Sequence, residues 1–303
     1  MKLGFIGLGR MGFNIVLNLH DKKIPVVAYN RSPEPVKKIE KYGVEVAFSI
    51  EELIEKLPKQ KIIWLMVTAG NPVDLVIKEL LPHLEKEDII IDGGNSFYKD
   101  SIRRYNHLKK KKIHFVDIGT SGGLSGARHG ACLTIGGDKK IFKRIEPIHK
   151  AVSAKNGYAY VGSAGAGHFV KMVHNGIEYG VMQSIGEGFG VLEKSPYNLD
   201  LVKVAKLYQQ GTLNSGFMMQ RTIEALEKDP KLSQIEGFIE ASGEGQWTVE
   251  EAKKQNVPVE IIEASLNFRA RSRTDKKVSS SFTARLVAAL RNVFGGHPVR
   301  HIR

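Results

Sequence analysis

A glycine-rich stretch at the start of the chain, KLGFIGLGRMGFN, constrains the fold more than any other feature. Lys2 to Ile6 reads as a short apolar strand, and the residues up to about His20 read as a helix. Between the two stand Gly7, Gly9 and Gly12. The G-x-G-x-x-G spacing alone is a weak signal, but between a strand and a helix it is typical of a dinucleotide-binding turn.

Each glycine of this turn has its own physical task. Gly7 permits the tight turn, Gly9 lets the backbone approach a pyrophosphate, and Gly12 lets the helix pack on the strand. The helix N-terminus adds free N–H groups and the positive end of its dipole. The predicted cofactor-binding residues of the turn are Gly7, Leu8, Gly9, Arg10, Met11 and Gly12.

The end of the second predicted strand bears on the choice of cofactor. Pro25 to Tyr29 leads into Asn30, Arg31 and Ser32, where an NAD enzyme usually places an acid that accepts from the ribose 2′-OH. A cationic Arg31 with small polar neighbours instead suits a 2′-phosphate. We therefore predict NADP as the cofactor, while the nearby Glu34 keeps NAD possible.

Apolar strands alternate with amphipathic helices as far as about Tyr160. After the second strand the pattern predicts strands at 62–67, 89–91 and 114–117 and helices at 51–57, 71–84 and 100–111. This alternation predicts an α/β Rossmann-type, doubly wound parallel sheet, with ligands bound at the carboxyl ends of its strands. Glycine-rich loops at 92–96 and 119–123 follow two of those ends, although ordinary tight turns would look the same.

From Ser163 onward the periodicity is helical only. The predicted helices span 163–194, 199–209, 218–227, 232–241, 249–255, 258–269 and 282–292. We therefore predict an NADP-binding domain at residues 1–162, followed by an all-α C-terminal domain at residues 163–303.

The first of these helices carries four polar side chains on one face. At about 100° per residue, His174, Asn175 and Glu178 fall within about 60° of Lys171. An ion-paired, solvated helix face would show the same spacing. The seven glycines from Gly165 to Gly190 argue against that alternative, because each costs roughly 0.5–1 kcal/mol relative to alanine inside a helix. We interpret the segment as a buried, site-forming helix.

Composition narrows the classes of function. The chain has 303 residues, of which 42% are hydrophobic, so it can bury a sizeable core. No apolar run approaches the roughly 20 residues that a membrane span needs, and the single cysteine, Cys132, excludes an intrachain disulfide. We expect a soluble, cytoplasmic protein. Metal-ligand spacing is not evident, so no metal is predicted.

The net charge of +13 raises the question of nucleic acid. Lysines and arginines are spread along the chain and interleaved with acids, and only Lys109 to Lys112 forms a run. A solvated loop or helix end is the usual meaning of such a run. A multiply anionic substrate and cofactor would use the charge more locally, and we predict no nucleic-acid partner.

Several motifs resemble those of the 6-phosphogluconate dehydrogenase family, within the wider β-hydroxyacid dehydrogenases. They are GLGRMGFN (7–14), YNRS (29–32), LMVTAG (65–70), IDGGNS (91–96), TSGG (120–123), GARHG (126–130), KMVHNGIEYG (171–180), GEGQWT (243–248), FRARSR (268–273) and RNVFGGH (291–297). The glycine turn and SGG are shared with the wider group, whereas IDGGNS, HNGIEYG and the terminal motif are specific. The resemblance covers essentially the whole chain.

The resemblance implies oxidative decarboxylation of 6-phosphogluconate to ribulose 5-phosphate and CO2 with reduction of NADP, as in the pentose phosphate pathway and gluconate utilisation. Lys171 would be the general base, since burial can lower a lysine pKa enough for that role, and Glu178 the general acid. By the same resemblance the other catalytic residues are His174 and Asn175. The further cofactor-binding residues are Asn30, Arg31, Ser32, Val67, Thr68, Ala69 and Asn95. The substrate-binding residues are Asn95, Ser121, Gly122, Gly123, His174, Asn175, Tyr179, Arg269, Arg291 and His297.

In the family the terminal arginine and histidine reach into the neighbouring subunit's pocket. The resemblance therefore implies a homodimer or homotetramer, with the C-terminal domain serving both substrate binding and dimerisation. Two features depart from the long form of the family. This chain is far shorter, because the long form duplicates the helical region, and Gln246 stands where the long form has a phosphate-contacting lysine. Gln246 is therefore left out of the predicted site.

Other functions would leave different sequence features. A 3-hydroxyisobutyrate dehydrogenase or related β-hydroxyacid enzyme would keep the glycine turn and Lys171 but would not need IDGGNS, Glu178 or the arginines at 269 and 291. A non-enzymatic NADP-binding regulatory protein would lose Lys171 or Glu178, and both are present.

Overall fold

The computed structural model describes residues 1–302 and divides into two compact units, Met1–Met172 and the residues from Val173 onward. The predicted domain boundary at 162/163 stays a prediction.

The first unit is built on one eight-stranded sheet. Its strands are β1 (Leu3–Ile6), β2 (Val26–Tyr29), β3 (Glu45–Val46), β4 (Ile62–Leu65), β5 (Ile89–Asp92), β6 (His114–Ser121), β7 (Ala131–Gly137) and β8 (Ser153–Gly162). Their order is β3-β2-β1-β4-β5-β6-β7-β8, and every neighbouring pair is parallel except β6 and β7. The chain reverses its direction across the sheet after β3, so the carboxyl ends of β1 and β4 flank the switch point at which such folds bind ligands.

Helices lie along the chain between these strands. They are α1 (Arg10–Asp21), α2 (Pro33–Glu40), α3 (Ile50–Glu55), α4 (Asn71–Leu80), α5 (Tyr98–Lys109), α6 (Gly123–His129), α7 (Lys139–Arg144) and α8 (Glu146–Val152), with a 3₁₀ turn at Leu81–His83. Alternate strand residues enter two separate apolar clusters, Phe5 and Trp64 in one and Ile6 and Leu65 in the other. Because both faces of the central strands are buried in this way, the predicted doubly wound sheet is confirmed.

The second unit is helical. Helix α9 (Ala166–Glu193) begins in the first unit and continues into the second, followed by α10 (Leu201–Tyr208), α11 (Phe217–Lys228), α12 (Glu244–Gln255), α13 (Glu260–Ser272), α14 (Lys276–Ser279) and α15 (Phe282–Gly295). One apolar cluster, with Met182, Phe189, Leu226 and Leu290 among its members, forms its core. The predicted all-α C-terminal region is thereby confirmed.

The predicted helix at 232–241 is wrong. The backbone at Leu232 has a φ of +49°, and the following residues give their N–H groups to distant partners. Gly237 N donates to Ser279 O at 2.8 Å and Ile239 N donates to the Ser272 hydroxyl at 3.1 Å. A helix would need those N–H groups for its own carbonyls, so tertiary hydrogen bonds override the local periodicity here.

Two other boundaries differ from expectation in ways that affect the site. Strand β6 continues to Ser121, so the predicted loop at 119–123 is strand in its first half. Helix α12 begins at Glu244 rather than at 249, which places Gln246 in its first turn. In the described part of the chain, no helix has the length and apolar character needed to cross a membrane.

Candidate active site

The glycine turn after β1 has the geometry that the sequence predicts. Gly7 has a φ of +108°, and a Cβ there would stand 2.4 Å from Met66 O. A Cβ at Gly12 would stand 2.0 Å from Gly7 O, so the helix packs directly on the turn. At Gly9 nothing lies within 4 Å of the added Cβ, and both Gly9 and Arg10 are exposed. The turn therefore presents open backbone at the start of α1, where a pyrophosphate would be bound.

Asn30 connects this turn to the end of β2. Its side-chain oxygen accepts a hydrogen bond from Leu8 N at 2.9 Å, and its amide nitrogen donates to Ser32 O at 3.1 Å. Arg31 and Ser32 are exposed. The predicted cofactor residues at 30–32 thus comprise one side chain that supports the turn and two that face solvent.

The loops after β4 and β5 carry the next predicted residues. Val67 and Ala69 are half-buried and Thr68 is exposed. Gly70, which directly precedes α4, has a φ of +85°. After β5, Asn95 is exposed. Gly93 has no space for a side chain, because a Cβ there would stand 2.1 Å from the Trp64 Nε1 atom. The glycine of IDGGNS therefore allows the loop to lie against the core of the sheet.

Ser121, Gly122 and Gly123 mark the passage from β6 to α6. Ser121 is the last residue of the strand and is buried. Gly122 has a φ of +114° and Gly123 a φ of +59°, both in the region that favours glycine. These three residues therefore form a tight strand-to-helix turn at an end of the sheet.

The start of α9 is fixed to the sheet through Asp117, a residue that the sequence reading missed. The fully buried Asp117 carboxylate accepts from Gly165 N at 2.8 Å and from His168 N at 2.9 Å, and so satisfies N–H groups at the helix start. A Cβ at Gly167 would stand 2.4 Å from Asp117 O. An acid inside an apolar strand was the available sequence signal.

Lys171 lies one turn further along α9. The residue is 8% exposed, and a Cβ at Gly119 would stand 2.3 Å from the Lys171 Cβ. Glycine at 119 is therefore required for the lysine to pack so closely on β6. The predicted general base is a buried residue on a fixed helix.

The glycines of α9 explain the close packing that the sequence suggested. Cβ atoms at Gly176, Gly186 and Gly190 would stand 2.7, 2.9 and 2.4 Å from Thr248, Val287 and Thr283 atoms respectively. Only Gly188 of the seven has nothing within 4 Å. Neighbouring helices of the second unit therefore approach α9 where it lacks side chains.

Three predicted site residues follow Lys171 on α9, within the second unit. His174 Nδ1 lies 3.3 Å from Asn175 Oδ1 and 3.7 Å from Glu178 Oε2. Asn175 is 8% exposed, and the Glu178 side chain is 22% exposed. An imidazole, an amide and a carboxylate are thus grouped on one face of the helix.

A second cluster in this unit holds two buried arginines. The Arg269 guanidinium carbon lies 3.3 Å from the centre of the Tyr179 ring. Tyr179, Arg269 and Arg291 are 5%, 2% and 5% exposed. Within residues 1–302 neither arginine forms an ion pair with a carboxylate, and both the Tyr179 hydroxyl and Arg269 Nη2 are buried without a hydrogen-bond partner.

The electrostatics of this cluster are dominated by burial of the two arginines. Burial, reinforced by the neighbouring Arg291 charge, lowers the pKa of Arg269 to about 10, although Tyr179, Glu178 and Glu244 act in the opposite direction. Burial likewise lowers the pKa of Arg291. Both groups remain charged at neutral pH. Two buried cations that lack a carboxylate form a site suited to an anion with several oxygens.

His297 and Gln246, the two remaining residues from the sequence motifs, lie in the C-terminal unit. The His297 ring packs edge-on against Phe294, with ring centroids 6.2 Å apart, and His297 O accepts from the Asn292 amide at 2.8 Å. The exposed Gln246 side chain donates to Glu250 at 2.9 Å. Among the described residues, no group of three or more His, Cys, Asp or Glu side chains is placed to hold a metal ion.

Two family descriptions match almost the whole chain. Residues 2–162 match the NAD binding domain of 6-phosphogluconate dehydrogenase, and residues 167–284 match the C-terminal domain of 6-phosphogluconate dehydrogenase. The first unit is therefore an NAD(P)-binding domain.

Similar proteins carry the same family name. The chain is 48% identical over 297 residues to YqeC of Bacillus subtilis, which has a provisional 6-phosphogluconate dehydrogenase name, with 98% of each chain covered. It is 40% identical over 301 residues to the NAD(+)-dependent, decarboxylating 6-phosphogluconate dehydrogenase of Haloferax volcanii, covering 99% of this chain and 98% of that protein.

A solved structure extends the similarity to the fold. The 6-phosphogluconate dehydrogenase of Plasmodium falciparum, studied in its apo form, with NADP+ and with 6-phosphogluconate, aligns with a TM-score of 0.82 at 35% identity. The alignment covers 90% of this chain but only 62% of that longer chain. Together with the two matching domains, these similarities show that the chain belongs to the 6-phosphogluconate dehydrogenase family.

Proposed function

We propose that this protein catalyses the oxidative decarboxylation of 6-phosphogluconate to ribulose 5-phosphate and CO2 with reduction of NADP. One observation carries the proposal beyond family membership: the second unit buries Arg269 and Arg291 beside Tyr179 without a carboxylate partner. A phosphate dianion would satisfy both guanidinium groups, which are suited to gripping its oxygens in pairs. A sugar acid without a phosphate would leave them unsatisfied.

The phosphate end of the substrate is assigned to this arginine cluster. Arg269 and Arg291 supply the charge, and the Tyr179 hydroxyl, which is buried without a partner, supplies one further donor. His297 is assigned to the same end. The carboxylate and hydroxyl end is assigned to Asn95, Ser121, Gly122, Gly123, His174 and Asn175.

Lys171 and Glu178 divide the proton transfers. When bound, NADP supplies the nicotinamide that accepts hydride from C3 of the substrate. Lys171 removes the proton of the C3 hydroxyl as that hydride leaves. The resulting β-keto acid loses CO2 while the charged Lys171 polarises the keto oxygen. Glu178 then donates a proton to C1 of the enediol, and ribulose 5-phosphate is formed.

The NADP preference is assigned to Arg31. The Asn30 amide is already committed to the glycine turn, and no acid stands at 30–32 to accept from a ribose 2′-OH. The exposed Arg31 is therefore the side chain at the end of β2 that suits a 2′-phosphate. Arg31→Ala should lower kcat/KM for NADP by about tenfold or more and leave kcat/KM for NAD within about twofold. Equal losses with both cofactors would remove Arg31 from this role.

The oligomer is a homodimer or homotetramer, and Arg291 offers a way to learn how its sites are completed. In this structure Arg291 lies close enough to Arg269 of its own chain to shift the pKa of that arginine, whereas the family pattern places the terminal arginine in a neighbouring pocket. Mixing inactive Lys171→Met and Arg291→Met subunits tests the two arrangements. Regained activity means that Arg291 serves a neighbour, and no recovery in a mixed oligomer means that it serves its own chain.

The first test of the proposed function is a rate measurement. Reduced-cofactor formation with 6-phosphogluconate should be followed with NADP and NAD side by side while CO2 is collected. We expect one CO2 for each reduced cofactor. Oxidation of 3-hydroxyisobutyrate without turnover of 6-phosphogluconate would support the alternative dehydrogenase instead.

Two variants test the assigned proton transfers. Lys171→Met should abolish oxidation with little loss of cofactor binding, and Glu178→Gln should be slowest in protonation of the enediol. Near-normal turnover by either variant would contradict the role given to that residue.

A further inference from the structure

We infer that Arg104 is a positioning residue that holds together the two loops in which Val67, Thr68, Ala69 and Asn95 lie. The loops follow the carboxyl ends of β4 and β5, which are adjacent and parallel in the sheet, and Arg104 lies on α5. The inference deepens the proposed function and rests on it for the identity of the ligand that these loops meet.

Arg104 reaches both loops with one side chain. Its Nη2 donates to Gly70 O at 2.9 Å, at the end of the first loop. Its Nη1 donates to the Ser96 hydroxyl and to Asp92 Oδ2, each at 3.3 Å, at the two ends of the second loop. Asn95 directly precedes Ser96. The spacing between the loops is therefore set by the width of a single guanidinium group.

Carboxylates on two other elements hold the guanidinium in place. Asp74, in the first turn of α4, accepts from Arg104 Nε at 2.9 Å and from Nη2 at 3.2 Å. Arg104 and Asp92 are 3% and 1% exposed, so this ion pair is shielded from water. A planar fork held from two sides has one orientation available.

Asp92 extends this hydrogen-bond network to the second loop. Its Oδ1 accepts from Gly94 N at 3.2 Å and its Oδ2 accepts from the Ser96 hydroxyl at 2.8 Å. The two residues that flank Asn95 are thus both bonded to one buried carboxylate, which is itself paired with Arg104. A change at Arg104 would loosen the backbone on either side of Asn95.

Lysine could keep the charge but not the geometry. Gly70 O, the Ser96 hydroxyl and the two carboxylates surround different edges of the guanidinium, and an ammonium is a compact donor at the end of a flexible stem. Arg104→Lys therefore retains the buried charge pair while releasing at least one loop. Comparing this variant with the unchanged protein therefore tests whether the geometry of the guanidinium is needed, and not only its charge.

The neighbouring Arg103 supplies a matched control. It also donates to Asp74, at 2.8 Å, and to Asp100, at 3.2 Å, but its side chain is 56% exposed and it contacts neither loop. Arg103→Lys makes the same chemical change one residue away on the same helix. We expect it to leave cofactor binding within about twofold of the unchanged protein.

The test is a fluorescence titration of the full-length protein with NADPH and with NADH, alongside inhibition by inorganic phosphate. Arg104→Lys should weaken binding of the preferred reduced cofactor by about tenfold or more, and kcat should fall as well. The inhibition constant of inorganic phosphate, whose proposed site lies in the second unit, should stay within about twofold. A general loss of folded structure would weaken the binding of both the cofactor and inorganic phosphate.

Three results would overturn the inference. They are cofactor binding by folded Arg104→Lys within twofold of the unchanged protein, an equal loss in Arg103→Lys, and a parallel loss of phosphate inhibition. If Arg104→Lys does not fold, Ser96→Ala removes one link while keeping the Arg104 to Asp92 pair, and unchanged NADPH and NADH affinity in that variant would overturn it too. NADPH binding without oxidation of 6-phosphogluconate would count against the proposed function alone.

Discussion

Arg104 in the first unit and Arg269 in the second are equally buried, yet they stand in opposite surroundings. Arg104 donates to two carboxylates, a hydroxyl and a backbone carbonyl. Arg269 lies over the Tyr179 ring, and its Nη2 has no partner among the described residues. The first guanidinium is hydrogen-bonded within its own unit, whereas the second is proposed to bind the substrate phosphate.

The difference follows from the cost of burying a charge. Removing an ion from water costs several kcal/mol even after the protein relaxes, and this cost is offset only by well-placed opposite charges and hydrogen bonds. At Arg104 those groups are present. At Arg269 the tyrosine ring offsets only part of this cost, by about 2 kcal/mol or somewhat more for a desolvated pair, and burial lowers the pKa of Arg269. Buried cations that have no carboxylate partner are candidate groups for binding an anion.

The largest effect expected from this comparison is on stability at Arg104. Arg104→Met leaves the buried Asp92 carboxylate without its cation, and breaking a buried pair in this way costs about 3–5 kcal/mol. Urea unfolding at pH 7 would measure the loss. A loss below about 1 kcal/mol would mean that Asp92 is satisfied by Ser96 and Gly94 alone, and the scaffold role would be wrong.

Arg269→Met should behave in the opposite way. Unfolding should become no easier, because an unpaired buried charge is replaced by an apolar chain of similar length. The kcat/KM for 6-phosphogluconate should fall about 100-fold or more, since two charge-assisted hydrogen bonds to phosphate are lost. Steady-state kinetics and thermal unfolding of the same sample would measure both.

Arg271→Met is the control for that variant, because Arg271 is exposed two residues further along α13. Its kcat/KM should stay within about twofold. If Arg269→Met lost activity only because it unfolded, the arginine would be structural and the two regions would not differ in kind.

The sequence predicts the scaffold of the first unit well because strand and helix periods there agree with the glycine spacing. The φ of +108° at Gly7 and the contact of Gly12 with Gly7 O are local features, and a local pattern can reveal them. The segment at 232–241 is different. Its N–H groups bond to Ser279 and Ser272, which are distant in sequence, so its helical periodicity misleads.

The candidate site is predictable in its residue types and much less in its supports. Lys171, Glu178 and the arginines at 269 and 291 were identified by motif, and their roles stay predictions. Arg104 and Asp117 were not identified, because a charged residue in an amphipathic helix or at the end of a predicted strand, as Asp117 was in the strand at 114–117, usually faces water. Only the folded structure shows that Asp117 bonds the start of α9 and that Arg104 joins two loops.

His149 limits the rule that an unpaired buried group signals a ligand. It is fully buried, it stacks on Phe142 with ring centroids 5.3 Å apart, and neither ring nitrogen has a partner among the described residues. Burial lowers the pKa of His149 from 6.5 to about 4. Unlike arginine, this group can avoid the cost by staying neutral, so we assign it no ligand.

The lowered pKa of His149 predicts how stability changes with pH. Between pH 6.5 and about 4 the unfolded chain binds a proton that the folded chain does not, so the free energy of unfolding decreases as pH falls, by up to about 3 kcal/mol from this group. His149→Phe should flatten that dependence between pH 7 and 5 in urea unfolding. The control variant His107→Gln, at an exposed position, should leave the pH dependence unchanged. If His149→Phe also left it unchanged, other groups would be its cause.

The smallest effect is expected at Arg103, which shares Asp74 with Arg104. The Arg103 side chain is 56% exposed, and the Asp74 carboxylate would still be held by Arg104 at 2.9 Å after Arg103→Gln. The loss in unfolding free energy should therefore stay below about 1 kcal/mol and shrink further in about 1 M salt. A loss above about 2 kcal/mol would show that Arg103, rather than the buried neighbour, secures Asp74. The contrast between paired and unpaired burial would then need a different scaffold residue, because Arg104 would no longer be the group that fixes α4 to the two loops.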